Sequence, residues 1–127
     1  MFKRLMIMGG ILNTLFFLFH VYVGYRIQHL TQLADPYRST LSGFNIAASL
    51  FIFFLAYASF RHQNDLLETK LGHAVLAFAS LLYLSRAAEE FILFNFSPAP
   101  FFSCLLVGAI YVWALVIATR REDPAAT

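Results

Sequence analysis

Residues 101–119 read FFSCLLVGAIYVWALVIAT, an unbroken run without a charged side chain. A continuous apolar run of about 18 residues or more is typical of a membrane span. As an α-helix rising about 1.5 Å per residue, this run is about 28 Å long. That length matches a hydrocarbon core of about 30 Å. The stretch therefore predicts a transmembrane helix.

Three further apolar stretches lie upstream, over residues 5–25, 41–60 and 71–96, and only the last of them contains charged residues. Each has about 20 residues or more, which is enough to cross the bilayer as a helix. The sequence predicts an all-α fold, an integral membrane four-helix bundle. A chain of 127 residues falls within the size of one domain. We therefore expect a single transmembrane domain over residues 1–127.

The segments between the predicted spans carry turn signals. Residues 26–40 are polar and include the pair Asp35–Pro36, which favours a turn. The next connector, RHQNDLLETK at residues 61–70, is rich in charged residues and is interpreted as a solvated turn. The last, SPAP at residues 97–100, predicts a tight turn between the third and fourth spans. These two spans should therefore form an antiparallel hairpin.

The composition indicates which partners to expect. Hydrophobic residues make up 60% of the chain and charged residues 13%, with a mean hydropathy of +0.69. Soluble domains have about 25% charged residues, so the lipid bilayer is the expected surrounding. A net charge of +2 without a basic patch excludes the nucleic-acid-binding class. The single cysteine, Cys104, excludes an internal disulfide and a CxxC motif.

Lys and Arg residues near the span ends predict the orientation. Six of them lie at the amino terminus, in the second connector and in the carboxyl tail, whereas two lie in the first connector and none in the third. Positive charge accumulates on the cytoplasmic side of a membrane protein. We expect both termini to be cytoplasmic, and the membrane to be a bacterial inner membrane.

Small and polar residues mark the faces that should turn inward, because helices in lipid associate through close packing rather than apolar burial. At 100° per residue, three spans carry such residues on one face. The predicted inward residues are Gly9, Asn13, His20 and Gly24 on the first span, Asn45, Ser49, Ala56 and Ser59 on the second, and Cys104, Gly108, Tyr111 and Ala118 on the fourth.

The stretch YLSRAAEEFILF at residues 83–94 places Arg86, Glu89 and Glu90 in an apolar span. A charge at mid-membrane costs about 2.5–3.5 kcal/mol on the insertion scale. By helix rise, His20 of the first span and Asn45 of the second fall at a similar depth, in the outer half. The sequence thus predicts an intramembrane polar cluster of His20, Asn45, Arg86, Glu89 and Glu90.

Three interpretations of this cluster stay open. The carboxylates can reach the outer headgroups, with Arg86 neutralising one of them. The cluster can lock the helices in register, or it can bind or move a ligand. Arg before Glu is the weaker order along a helix, and carboxylates near its carboxyl end oppose the macrodipole. We therefore expect Arg86 to pair with Glu90 and to face His20 or Asn45.

No cofactor, metal site or catalytic residue is predicted. His20 and His73 differ in depth by about 20 Å along the helix rise, and His29 and His62 fall in connectors, so a bis-histidine haem is not expected. His20 has no Glu-x-x-His partner pattern that would indicate a metal. The sequence also lacks a nucleophile–base pair and a Gly-rich phosphate loop, and an enzyme is the least favoured class.

Two functions remain. The favoured one is a non-enzymatic membrane bundle that serves as an accessory subunit or a homo-oligomer, since fifteen phenylalanines suit contact with lipid or with another membrane protein. The alternative is a small carrier or proton-linked transporter that uses the polar cluster in the outer half of the bundle.

Overall fold

A computed structural model describes residues 2–92 and 96–122, without the side chains of residues 2, 121 and 122. This part of the chain folds into five α-helices and contains no strand. Four of the helices are long and apolar enough to cross a membrane. The prediction of an all-α, four-span bundle is confirmed. The helices are α1 (Phe2–Gln28), α2 (Asp35–Arg61), α3 (Gln63–Glu68), α4 (Lys70–Ile92) and α5 (Pro98–Glu122).

α2 and α5 start earlier than the predicted apolar runs, because the residues just before these runs favour a helix amino terminus. Asp35 and Pro36 form the first turn of α2 rather than a separate turn. Proline has no N–H to leave unpaired there, and Asp35 is favourably placed at the positive end of the dipole. In the same way Pro98 opens α5, so the predicted SPAP turn is largely helical. Residues 93–95 of the predicted third span lie outside the described residues.

The connector between α2 and α4 differs from its prediction as a solvated turn. It contains α3, whose Leu66 and Leu67 are buried in the same core as the spanning helices. The two leucines give this short segment an apolar side that packs onto the bundle. Thr69 then accepts a hydrogen bond from the N–H of Gly72 at 2.9 Å and so satisfies an amide in the first turn of α4.

The spanning helices form two hairpins. α1 packs along α2, and α4 packs along α5, as predicted for the last two spans. The hairpins meet through α1 and α5, and α3 contacts α2, α4 and α5. The start of α1, the end of α5 and the whole of α3 lie at one end of the bundle, hereafter the terminal end. The opposite end, which carries residues 29–34 and the start of α5, is the far end.

The predicted inward faces are confirmed. Every predicted seam residue is buried or half-buried. Large apolar side chains cover the outside instead, as lipid-facing helices require. Among the most exposed are Leu15, Phe44, Leu50, Leu81 and Phe102.

The close approach of α3 and α4 predicts that Gly72→Ala is destabilising. A Cβ at residue 72 would clash with the carbonyl oxygen of Asp65 and lie 2.5 Å from the Leu66 Cα, both of them backbone atoms. We expect a lower melting temperature in detergent and a loss of about 1–3 kcal/mol, as in other overpacked sites. Gly43→Ala on α2 is the control, since nothing lies within 4 Å of its added Cβ. Equal melting temperatures for the two variants would contradict the packing of α3 on α4.

Candidate functional site

Four buried side chains, one from each spanning helix, form a hydrogen-bond network in the middle of the bundle. The hydroxyl of Tyr83 on α4 donates to Asn13 Oδ1 on α1 at 2.5 Å. Asn13 Nδ2 donates to the hydroxyl oxygen of Tyr111 on α5 at 2.6 Å, and also to the carbonyl oxygen of Gly9 at 2.7 Å. Ser59 Oγ on α2 lies 2.9 Å from the same Tyr111 oxygen. We call these four residues (Asn13, Ser59, Tyr83 and Tyr111) the central network.

The central network joins the two hairpins. Three of its hydrogen bonds cross from the α1–α2 hairpin to the α4–α5 hairpin. The rings of Tyr83 and Tyr111 stack at 6.3 Å with an interplanar angle of 14°. Because all four side chains are buried, each of these polar groups would be costly without its partner. The network therefore fixes how one hairpin sits against the other.

Sequence reasoning placed three of these residues on inward faces but did not connect them, and it missed Tyr83. A signal was present in the residue types. Tyrosine is enriched at the membrane interfaces, yet Tyr83 and Tyr111 fall well inside their spans. A tyrosine at that depth needs a hydrogen-bond partner, and Asn13 is a nearby amide on an inward face.

Arg86, Glu89 and Glu90 on α4 form an ion cluster near the far end. Arg86 Nη2 lies 2.7 Å from Glu90 Oε1, and Arg86 Nη1 lies 3.6 Å from Glu89 Oε2. The Glu90 side chain is 3% exposed, whereas those of Arg86 and Glu89 are 40% and 43% exposed. Arg86 therefore supplies a counter-charge to a carboxylate that the bundle buries.

His20 and Asn45 meet on the other hairpin through the backbone. Asn45 Nδ2 donates to the carbonyl oxygen of His20 at 2.9 Å. A Cβ at Gly24 would come within 2.9 Å of that nitrogen, so a glycine there admits the amide. His20 Nδ1 lies 3.0 Å from the carbonyl oxygen of Phe16 and must donate to it, because a carbonyl only accepts. The Nε2 of a neutral His20 is then an acceptor.

A cavity of about 500 Å³ separates the two hairpins in the far half of the bundle. Its wall includes His20 from α1 and Arg86 from α4, together with Ala48 from α2 and Cys104 from α5. Asn45, Glu89 and Glu90 are not among the residues that line it. We call it the interhelix cavity. The structure thus brings two of the five predicted cluster residues to the same cavity, and a joint role for all five stays a prediction.

The described part of the chain contains no group of three or more His, Cys, Asp or Glu side chains that could hold a metal ion. No protein-family model matches the sequence, and no curated protein or solved structure is significantly similar to it. The function must therefore be inferred from the central network, the ion cluster and the interhelix cavity.

The central network predicts that Tyr111→Phe is destabilising. The change removes the acceptor of the Asn13 bond and the partner of Ser59. Single interhelical hydrogen bonds in membranes contribute about 0.6 kcal/mol on average and up to about 1.7. Since two bonds are lost, we expect a loss of about 1–2 kcal/mol in detergent unfolding. Tyr37→Phe is the matched control, because that side chain is 69% exposed, and no change in its stability is expected. Equal stabilities of the Tyr111→Phe and Tyr37→Phe variants would contradict a stabilising role of the central network.

The ion cluster predicts that Arg86→Ala lowers the melting temperature much more than Lys70→Ala, a change at an exposed residue outside the cluster. Loss of the guanidinium leaves Glu90 buried without its counter-charge. Breaking a fully buried pair costs about 3–5 kcal/mol, and we expect about 2 kcal/mol here because Arg86 is partly exposed.

A double variant separates this stranded charge from simple loss of packing. Arg86→Ala combined with Glu90→Gln should recover part of the lost stability, because the uncompensated carboxylate is gone. If Arg86→Ala is as mild as Lys70→Ala, the charges only reach the headgroups.

Proposed function

We propose that this small membrane protein is a non-enzymatic bundle that works as an accessory subunit of a membrane complex or as a homo-oligomer. The observation that carries the proposal is the central network. Many secondary transporters move substrates by rocking one half of the protein against the other. Here three buried hydrogen bonds would have to break for the hairpins to separate. A bundle whose two hairpins are held together by these hydrogen bonds is better suited to a structural role than to transport by rocking.

The outer face of α2 supports assembly. Ile46, Leu50, Phe53 and Tyr57 are all more than half exposed. Their spacing of four, three and four residues follows the seam along which helices interlock. Large aromatic and aliphatic side chains at this spacing offer a surface for a helix of another chain.

Single-cysteine variants in a Cys104→Ala background test the proposal in native membranes. Leu50→Cys on α2 should form a disulfide dimer if the chain assembles with itself, and Leu81→Cys on α4 is the control with matched exposure of 64% and 65%. Native mass spectrometry should then show two or more chains, or one chain with a partner of defined mass. A lone chain, with equal crosslinking at both positions, would contradict the proposal.

We further propose a bacterial inner membrane with both termini cytoplasmic. The excess of Lys and Arg at the terminal end supports this orientation. Two more single-cysteine variants, Gln32→Cys and Asp65→Cys, test the orientation through their labelling by a membrane-impermeant thiol reagent. Gln32→Cys should react from outside the cell, and Asp65→Cys only after permeabilisation. The reverse pattern would overturn the orientation.

A small carrier or proton-linked transporter is the second candidate, and the interhelix cavity favours it. His20 and Arg86 line a space large enough for a small substrate. A carrier can act as a lone chain, so the mass measurement separates the two candidates. A monomer without a partner would favour the carrier.

A further inference from the structure

We infer that the interhelix cavity is a binding site for an uncharged lipid quinone, with the ring between the hairpins and the polar oxygens toward His20 and Arg86. The cavity volume of about 500 Å³ lies within the range of small-molecule pockets, about 300–1,000 Å³. The inference concerns a site within one chain. It therefore holds for a lone bundle as well as for an assembly.

The walls of the cavity favour a flat ring. Phe16 on α1 and Tyr83 on α4 pack at 5.6 Å with their rings tilted by 53°. Phe51 on α2 and Phe78 on α4 meet edge to face at 5.3 Å. These four side chains all line the cavity, so aromatic surfaces face it from three helices. Aromatic rings interact favourably with another ring in stacked or edge-on arrangements.

The polar residues of the wall favour a head group that is neutral. Arg86 is already compensated by Glu90 and lies near Glu89, so an anionic head would add to two carboxylates. A cationic head would meet the guanidinium itself. A carbonyl oxygen can accept a hydrogen bond from the guanidinium, and a hydroxyl can donate to Nε2 of His20. A quinone or its quinol carries these groups on a flat ring.

The membrane supplies a route for such a ligand. α2 and α4 make little direct contact in the described part of the chain. Between these two helices the cavity wall is formed by side chains, including Phe51 and Phe78. A hydrophobic tail can leave the cavity through this gap into the surrounding lipid.

The test measures binding of decylubiquinone to the purified full chain in detergent by native mass spectrometry. We expect one quinone per chain, and at least a tenfold weaker affinity in Ala48→Phe, which fills the cavity. The matched control is Ala47→Phe, the neighbouring residue, which is exposed and does not line the cavity. Its affinity should equal that of the unmodified chain.

A second pair of variants covers the case in which Ala48→Phe fails to fold. His20→Phe removes the hydrogen-bonding ring from the cavity and should weaken binding several-fold. His29→Phe is its control, because His29 makes the same kind of bond, from Nδ1 to the Tyr25 carbonyl oxygen at 2.8 Å, but is exposed.

The ligand class is tested with decanoic acid, which has a chain of similar length and an anionic head. It should bind at least tenfold more weakly than the quinone. Three results would overturn the inference: equal affinity for decanoic acid, equal quinone binding by each variant and its control, or a single retained phospholipid that decylubiquinone does not displace. The number of chains in the complex is read separately in the same spectra. Failure of the quinone site is therefore distinguishable from failure of the assembly proposal.

Discussion

Within a bilayer, apolar burial gives helices little reason to pack on one another, so the hydrogen bonds that cross between the hairpins carry unusual weight here. Two of the three meet at the amide of Asn13, which accepts a hydrogen bond from the Tyr83 hydroxyl and donates one to Tyr111. Small residues on the inward faces bring the helices close enough for this. The geometry of the far half, including the cavity, follows from how these bonds hold the two hairpins.

Arg86 connects the two polar features of the far half. It neutralises Glu90, which the bundle buries, and it also forms part of the cavity wall. One guanidinium has enough donors to serve a carboxylate and a ligand oxygen together. Its pairing with Glu90 offsets part of the cost of placing these charges within the span.

The sequence predicts the spans and the inward faces well, because both depend on local quantities. Length and hydropathy determine the spans, and small residues at helical spacing determine the faces. Depth in the membrane was the reason to predict that Asn45 lies beside Arg86. Depth does not determine the direction in which a side chain points. In the structure, Asn45 donates a hydrogen bond to the backbone carbonyl of His20. α3 was missed because two leucines in a short polar segment have no periodicity. The central network depends on how the hairpins dock, which no single span encodes.

The bond between Asn13 and Tyr111 joins residues that are 98 positions apart. A ribosome that adds about 5–20 residues per second needs about 5–20 s to cover this distance. During that interval the first helix is already made, while its amide lacks both tyrosines. The carbonyl oxygen of Gly9, one turn earlier on the same helix, accepts from this amide in the finished structure. This carbonyl oxygen can accept a hydrogen bond from the Asn13 amide during biogenesis, until the last helix leaves the translocation machinery and completes the bundle.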